Sequence, residues 1–232
     1  MMRLFLLSLG LALSLFAQSS ALEAFKQKEY TKAFELYSID AKKGDASSQH
    51  ALSYLYFNGL GVEQDSKKGV EWITSAANAS NEVAQYDLGM MYLSGYDVEK
   101  NASQAFSWLT QASNAGHINA KYNLALMYYN GDTTDQNVTK SVELLESAAQ
   151  NGHVEATQNI GRVYMQLLNY DKASYWLEKN AAEGDTTAYY LLAEIYCLQE
   201  KFPHAKEWAK KAIQSGSEKA KELYKTYELE KY

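Results

Sequence analysis

Residues 88–112 read LGMMYLSGYDVEKNASQAFSWLTQA, and their side-chain pattern recurs along most of the chain. Leu88 and Tyr92 are four positions apart, so their side chains share one face of a helix, with the small Gly89 beside them. A second apolar stripe, centred on Trp108, follows after a polar link. The stretch therefore predicts two helices that pack closely by alternating bulky and small side chains.

Several independent positions of this pattern recur together. The tryptophan position recurs at Trp72, Trp108, Leu144, Trp176 and Trp208. The leucine and tyrosine positions recur at Leu52, Leu88, Leu124, Ile160 and Leu192, and at Tyr56, Tyr92, Tyr128, Tyr164 and Tyr196. Residues able to end a helix recur at Gly44, Ser80, Gly116, Gly152, Gly184 and Gly216. The spacing is 36 residues up to Gly152 and 32 afterwards, which predicts tandem helix-turn-helix repeats. We expect Trp108 and Tyr128 to be core aromatics.

The links between the two helices of a pair are also regular. Glycines at 59, 95 and 131 stand just past a first helix, where a left-handed C-cap is favoured. Asp65 or Ser66 is placed to cap the helix that follows. A small residue between the leucine and tyrosine positions lets the second helix approach the first: Ser53, Gly89, Ala125, Gly161 and Ala193.

On these residues the chain resembles the Sel-one-like repeat, a relative of the tetratricopeptide repeat, over about residues 24–228. The stretch Gly59-Leu60-Gly61-Val62 with Asp65 is the most specific part of the match. The resemblance implies an all-α, right-handed α-solenoid that acts as an adaptor or scaffold. We predict capping helices over 22–45, three 36-residue Sel-one-like repeats over 46–152, two shorter tetratricopeptide-like repeats over 153–216 and a C-terminal capping helix over 217–232.

The first residues predict export. Met1-Met2-Arg3 supplies a positive start, and residues 4–16 are mostly apolar but too few to span a bilayer comfortably. Residues 1–21 are therefore interpreted as a signal peptide, with cleavage after Ala21 or, as second choice, Ala17. We expect a periplasmic or secreted protein without a stable membrane anchor; an uncleaved anchor is the alternative.

Composition argues against several functions. The net charge is −6 and Arg162 is the one arginine beyond the predicted signal peptide, so nucleic-acid binding is not expected. Cys197 is the single cysteine and is predicted to be a buried structural residue. The four histidines lack metal-site spacing, and His117 and His153 are interpreted as helix-start residues. We predict no metal, no cofactor and no catalytic residue.

We predict a protein- or peptide-binding groove on the concave face, lined by first helices. Its predicted residues are Tyr54, Phe57, Tyr86, Met90, Tyr122, Tyr129, Asn130, Arg162, Tyr190 and Glu194. Aromatic residues give contact area for binding, but they also pack between adjacent repeats, which is the alternative. Arg162 suits a carboxylate ligand; the alternative is a structural salt bridge in which Glu194 pairs with Arg162 or with a lysine.

Two further functions stay open. Cysteine-rich exported relatives in the resembled family carry the label of β-lactamases or penicillin binders. This chain lacks their cysteine pairs and a Ser-x-x-Lys arrangement. The third class is a structural envelope protein that spaces or organises other proteins. The binding scaffold is the main prediction, as a monomer.

Overall fold

The computed structural model describes residues 20–133 and 135–232, and the predicted signal peptide therefore lies almost entirely outside the described residues. Helix α1 covers residues 20–26. The remaining helices are α2 (Tyr30–Lys42), α3 (Ala46–Asn58), α4 (Ser66–Asn78), α5 (Glu82–Ser94), α6 (Ala102–Asn114), α7 (Ile118–Asn130), α8 (Val138–Gln150), α9 (Val154–Gln166), α10 (Tyr170–Ala182), α11 (Thr187–Leu198), α12 (Phe202–Gln214) and α13 (Glu218–Thr226), followed by a 3-10 turn at Leu229–Lys231. These described residues contain no strand, so the all-α prediction is confirmed.

The chain divides into two compact units, one ending at Ala120 and one spanning Lys121–Tyr232. Within the first unit, each helix from α2 to α6 packs against the next helix along the chain. The same holds in the second unit from α8 to α13. Packing between sequence neighbours is what a tandem array of helix pairs requires, because one pair alone cannot bury its apolar face. The predicted α-solenoid class of tandem helix-turn-helix repeats is confirmed.

Helix starts are fixed by a recurring side-chain cap. At the start of α3, Asp45 Oδ1 accepts a hydrogen bond from the Ser48 amide at 2.7 Å. One repeat later, Asn81 does the same for α5 at 2.9 Å. His117 and His153 cap α7 and α9 through Nδ1, each at 3.2 Å. Their interpretation as helix-start residues is therefore confirmed.

The links follow the predicted turn chemistry. Gly59 and Gly95 have φ values of 63° and 81° in the left-handed region, where glycine is favoured, and they end α3 and α5. Asp65, rather than Ser66, is the N-cap of α4 and accepts from the Lys68 amide at 3.0 Å.

The small residues on the first helices allow close helix packing. A Cβ added at Gly89 would lie 2.9 Å from Leu109 Cγ, and one added at Gly161 would lie 2.7 Å from Leu177 Cγ. Both distances are shorter than non-bonded carbon atoms tolerate. The predicted role of this position is confirmed.

On α6 and on α7, a more deeply buried residue lies one position away from the predicted core aromatic. Trp108 is half-buried, whereas the next residue, Leu109, is fully buried. Tyr128 is likewise half-buried, and the preceding Met127 is 2% exposed. Trp108 and Tyr128, predicted to be core aromatics, are thus only partly buried, and Trp108 packs against the core cluster that includes Leu88. These large rings lie at the edge of the helix contact, because the closest approach is filled by the aliphatic neighbours.

Candidate functional site

The predicted binding residues lie on the first helix of each repeat. The surface that these first helices form is called the first-helix face. In the first unit it belongs to α3 and α5. Tyr54 is 50% exposed there and meets the ring of Phe25 edge-on, with 5.9 Å between ring centroids. Met90 is half-buried on α5. Phe57 is half-buried, and its ring lies against Gly69 of α4, so it packs between helices as in the alternative interpretation.

Two predicted tyrosines make contacts between neighbouring repeats. Tyr86 stacks on the ring of His117, with 4.3 Å between centroids and 21° between planes. In the second unit, Tyr122 stacks on His153 in the same way at 4.3 Å, and its hydroxyl accepts a hydrogen bond from Asn159 at 3.3 Å. The contacts of Tyr86 and Tyr122 therefore agree with the alternative interpretation, in which these aromatic residues pack between adjacent repeats.

Three other predicted residues converge in the second unit. Tyr129, Asn130 and Arg162 line one pocket of about 290 Å³, called the Tyr129 pocket. Its wall is completed by Leu126, Ser141, Leu145, Asn159 and Val163. The Tyr129 hydroxyl accepts a hydrogen bond from Gln166 Nε2 at 2.8 Å, which fixes the ring at the pocket edge. The pocket combines an apolar wall with a cation.

Arg162 also lines a second, larger pocket. This Arg162 pocket has a volume of about 500 Å³. Its lining is polar and comes from α9, the end of α10 and the start of α11: Gln158, Asn159, Arg162, Asn180, Glu183, Gly184, Asp185 and Thr187. The two pockets share Asn159 and Arg162, so they are adjacent in the second unit.

A short hydrogen-bonded chain positions the Arg162 guanidinium. Arg162 Nη2 donates to Thr187 Oγ1 at 3.1 Å, and the Thr187 hydroxyl donates to Asp185 Oδ1 at 2.6 Å. The Arg162 side chain is exposed, so its remaining N–H donors face solvent in the pocket. Arg162 donates to a neutral hydroxyl and not directly to a carboxylate, although Glu183 and Asp185 line the same pocket.

The predicted Arg162–Glu194 ion pair does not form. Arg162 binds Thr187, while Glu194 Oε1 accepts a hydrogen bond from the Tyr190 hydroxyl on the same helix at 3.1 Å. Burial, together with the Glu194 charge, raises the pKa of Tyr190 to about 12. Tyr190 and Glu194 therefore form a pair of their own and line neither the Tyr129 pocket nor the Arg162 pocket.

Sequence reasoning missed one residue of the site. Asn180 is only 1% exposed and lines the Arg162 pocket, where its Nδ2 donates to the Gln158 carbonyl at 3.2 Å. Its Oδ1 has no hydrogen-bond partner among the described residues. The sequence feature that could have identified Asn180 is its place in the repeat. The equivalent position is alanine in four other repeats: Ala76, Ala112, Ala148 and Ala212. A buried polar acceptor without a partner is destabilising unless something binds it.

Burial and hydrogen bonding keep three titratable groups outside this surface in their protonated forms: Cys197, Tyr164 and Lys172. Cys197 is 2% exposed, and burial raises the pKa of its thiol to about 11, so it is the buried cysteine that was predicted. Tyr164 donates to Glu146 at 2.7 Å and accepts from Lys172 at 2.9 Å. Burial raises the pKa of Tyr164, and the hydrogen bonds to Tyr164 and Glu146 raise the pKa of Lys172, so each keeps its proton.

No group of three or more histidine, cysteine or acidic side chains within residues 20–133 and 135–232 is arranged to hold a metal ion. Over the same ranges, no helix combines the length and the apolar character needed to cross a membrane.

The packed helix pairs and the pocketed first-helix face define a tandem-repeat scaffold, a class that generally binds proteins. The chain belongs to the Sel1 repeat family: the family model matches residues 46–81, 83–117, 118–153 and 159–185, more than half of the sequence. A search of curated proteins found no significant match.

Solved structures show the same fold. A Sel1 repeat protein from Oxalobacter formigenes is 25% identical over 88% of this chain and 87% of that one, with a TM-score of 0.69. The protein c5321 of uropathogenic Escherichia coli, described as a protective antigen with an SLR fold, is 28% identical over 82% of this chain, with a TM-score of 0.61. This chain spans 43% of the length of c5321. The family resemblance predicted from the repeats is confirmed.

Proposed function

We propose that this chain is an exported scaffold that binds a peptide segment of a partner protein on the first-helix face of its second unit. The observation that carries the proposal is the convergence of Tyr129, Asn130 and Arg162 on the Tyr129 pocket, with Arg162 also lining the adjacent Arg162 pocket. The first unit supplies Tyr54 and Met90 to its own first-helix face, but no comparable cation.

The chemistry of the two pockets suits a peptide. The Tyr129 pocket offers apolar and aromatic surface for one side chain of the ligand. The Arg162 guanidinium offers paired N–H donors, which favour an aspartate or glutamate side chain. Asn180 Oδ1 and Ser141 Oγ are buried polar atoms without partners among the described residues, and they line the two pockets. Peptide N–H groups are the donors that would satisfy them.

Export is part of the same proposal and is supported by the composition of residues 1–21. The positively charged start, the apolar run and the small residues near Ala21 are typical of a secretory signal. The partner is therefore sought in the cell envelope or outside the cell. Fractionation of cells that make the full chain tests this part separately from peptide binding.

A peptide-display selection tests the binding site. Peptides enriched from a random library on the immobilised full chain are resynthesised, and their Kd is measured for the wild type and two variants. Arg162→Ala removes the shared cation, whereas Lys179→Ala removes an exposed positive charge on α10 outside both pockets. We expect enriched peptides to carry an acidic residue and to lose about tenfold or more in affinity for Arg162→Ala, because a charged hydrogen bond contributes on the order of 1.5–3 kcal/mol.

Two results would overturn the proposal. One is equal affinity of the selected peptides for the wild type and Arg162→Ala. The other is the same loss of affinity for both variants, which would indicate general attraction to positive charge. Thermal unfolding of both variants checks that the fold is unchanged, as expected for exposed side chains.

A further inference from the structure

The sequence contains three Asn-x-Ser/Thr tripeptides, which are the acceptor pattern for N-linked glycans in exported proteins. They begin at Asn78, Asn101 and Asn137. Two of the three share an additional feature, an acidic residue two positions before the asparagine: Glu99 before Asn101, and Asp135 before Asn137. Asn78 has Ala76 at that position instead.

The two acid-preceded asparagines occupy equivalent places in successive repeats, 36 residues apart. Asn101 ends the link between α5 and α6, and Asn137 ends the link between α7 and α8. Both asparagines and their acidic neighbours are exposed, as are the hydroxyl residues Ser103 and Thr139. Every residue type that the acceptor pattern needs is therefore accessible at both places.

The carboxamide nitrogens at these places are available for a new bond. Asn101 Oδ1 accepts from the Gln104 amide at 3.0 Å, and Asn137 Oδ1 accepts from the Lys140 amide at 2.8 Å. Neither Nδ2 donates a hydrogen bond to another described residue. Because a glycan attaches to Nδ2 and leaves Oδ1 unchanged, modification retains the helix cap. The enzyme needs to open only the first turn of α6 or α8, and helix ends fray readily.

We propose that Asn101 and Asn137 are N-glycosylation sites, used by an oligosaccharyltransferase of the bacterial type that requires an acidic residue two positions before the asparagine. The co-substrate is an oligosaccharide linked to a polyprenyl diphosphate. Nδ2 forms a bond to C1 of the first sugar as the bond between C1 and the diphosphate oxygen breaks. One Nδ2 proton passes to a base, and polyprenyl diphosphate leaves. In the cell this inference rests on the proposed export, because the transfer takes place outside the cytoplasm.

An in-vitro reaction tests the sites without depending on export. The purified full chain is incubated with a purified transferase of this type and its lipid-linked oligosaccharide, and the intact mass is measured. Synthetic peptides covering residues 97–105 and 133–141 serve as unfolded acceptors. The variants Ser103→Ala and Thr139→Ala remove one acceptor pattern each while keeping both capping asparagines. Asn78→Gln is the matched control for the pattern that lacks the acidic residue.

We expect the mass of the wild type and of Asn78→Gln to increase by two glycans. Ser103→Ala and Thr139→Ala should each gain one glycan, and the variant that carries both Ser103→Ala and Thr139→Ala should gain none. Glu99→Gln and Asp135→Asn should each abolish one addition. The proposal is overturned if the folded chain gains no glycan while the peptides are modified, or if neither peptide is an acceptor. Glycan addition at only one of the two asparagines would also overturn the paired assignment. Fractionation reports on export independently, so failure of one idea is distinguishable from failure of the other.

Discussion

The ring of Tyr122 stacks on the ring of His153, with 4.3 Å between centroids and 25° between planes. The histidine also caps α9, since its Nδ1 accepts from the Ala156 amide. The tyrosine of one repeat therefore covers the helix start of the next repeat. The equivalent contact in the first unit is Tyr86 on His117, which caps α7. This pairing couples neighbouring helix pairs and is a source of cooperativity in the array.

Removing the Tyr122 ring tests this coupling. We expect Tyr122→Ala to lower the free energy of unfolding by about 2 kcal/mol, since a half-buried ring and its stacking contact are lost. Tyr122→Phe keeps the ring and loses only the hydrogen bond from Asn159, so a loss of about 0.5–1 kcal/mol is expected. Urea unfolding of both variants measures the difference. Equal losses would show that stacking on His153 contributes nothing.

The His117 cap makes stability depend on pH. Burial lowers the pKa of His117 from its ordinary value of 6.5, against the opposing charges of Glu82 and Asp87. The stabilising contribution of neutral His117 is complete above pH 6.5 and is lost as the pH falls through the lower folded-state pKa.

Replacing this histidine by a cap that does not titrate isolates the effect. His117→Asn supplies the capping residue that the chain itself uses at the equivalent Asn81. The stability of the wild type relative to His117→Asn should fall as the pH is lowered from 7 towards 5, measured by urea unfolding at each pH. If the difference in free energy of unfolding between the two proteins stays constant as the pH is lowered, or grows in favour of the wild type, neutral His117 is not the stabilising cap.

The close approach at Gly161 predicts sensitivity to one methyl group. Gly161→Ala places a carbon 2.7 Å from Leu177 Cγ, and we expect a loss of about 1–3 kcal/mol in the free energy of unfolding. Leu177→Ala alone should cost about 2–5 kcal/mol, because Leu177 is 1% exposed. Because the shorter side chain removes the clash, the double variant should lose less than the sum. Strict additivity would show that the two residues do not meet.

The burial of Ala21 bears on the cleavage site of the proposed signal peptide. Ala21 is fully buried in α1, beside Ala24 at 3% exposure, in the core that includes Ala33. Cleavage after Ala21, the first choice from the sequence, would remove this residue from the core; cleavage after Ala17 would keep it. If the proposed export takes place, the processed chain is expected to begin at or before Ala21, as read by N-terminal sequencing. A chain beginning at Leu22 that unfolds at the same temperature as a longer one would contradict this.

Repeat spacing predicted much of the fold, because equivalent positions in successive repeats have the same structural role. The small residue at Gly161, the cap at Asp65 and the left-handed Gly59 each follow from a local rule on chain geometry. Spacing alone does not give the rotational phase of a helix within its contact. Leu109 and Trp108 recur with the same period, and only three-dimensional packing shows that Leu109 is at the centre.

The site was less predictable than the fold. The sequence selected Tyr129, Asn130 and Arg162, because residues on one helix face keep their register. It did not predict that Arg162 binds Thr187 instead of Glu194, since the choice among nearby partners depends on side-chain rotamers. Asn180 was not predicted, because the repeat analysis used residues that are the same in every repeat. Asn180 differs from the alanine that most of the other repeats have at this position.

Photo-crosslinking in the source cells tests the central claim most directly. A photoreactive benzoylphenylalanine replaces Tyr129 in the full chain, or replaces Tyr175, which is 53% exposed on α10 and lines neither pocket. We predict one defined crosslinked adduct from position 129, lost when Arg162→Ala is added, and none from position 175. An adduct from position 175 alone, or one from position 129 that Arg162→Ala leaves unchanged, would contradict it.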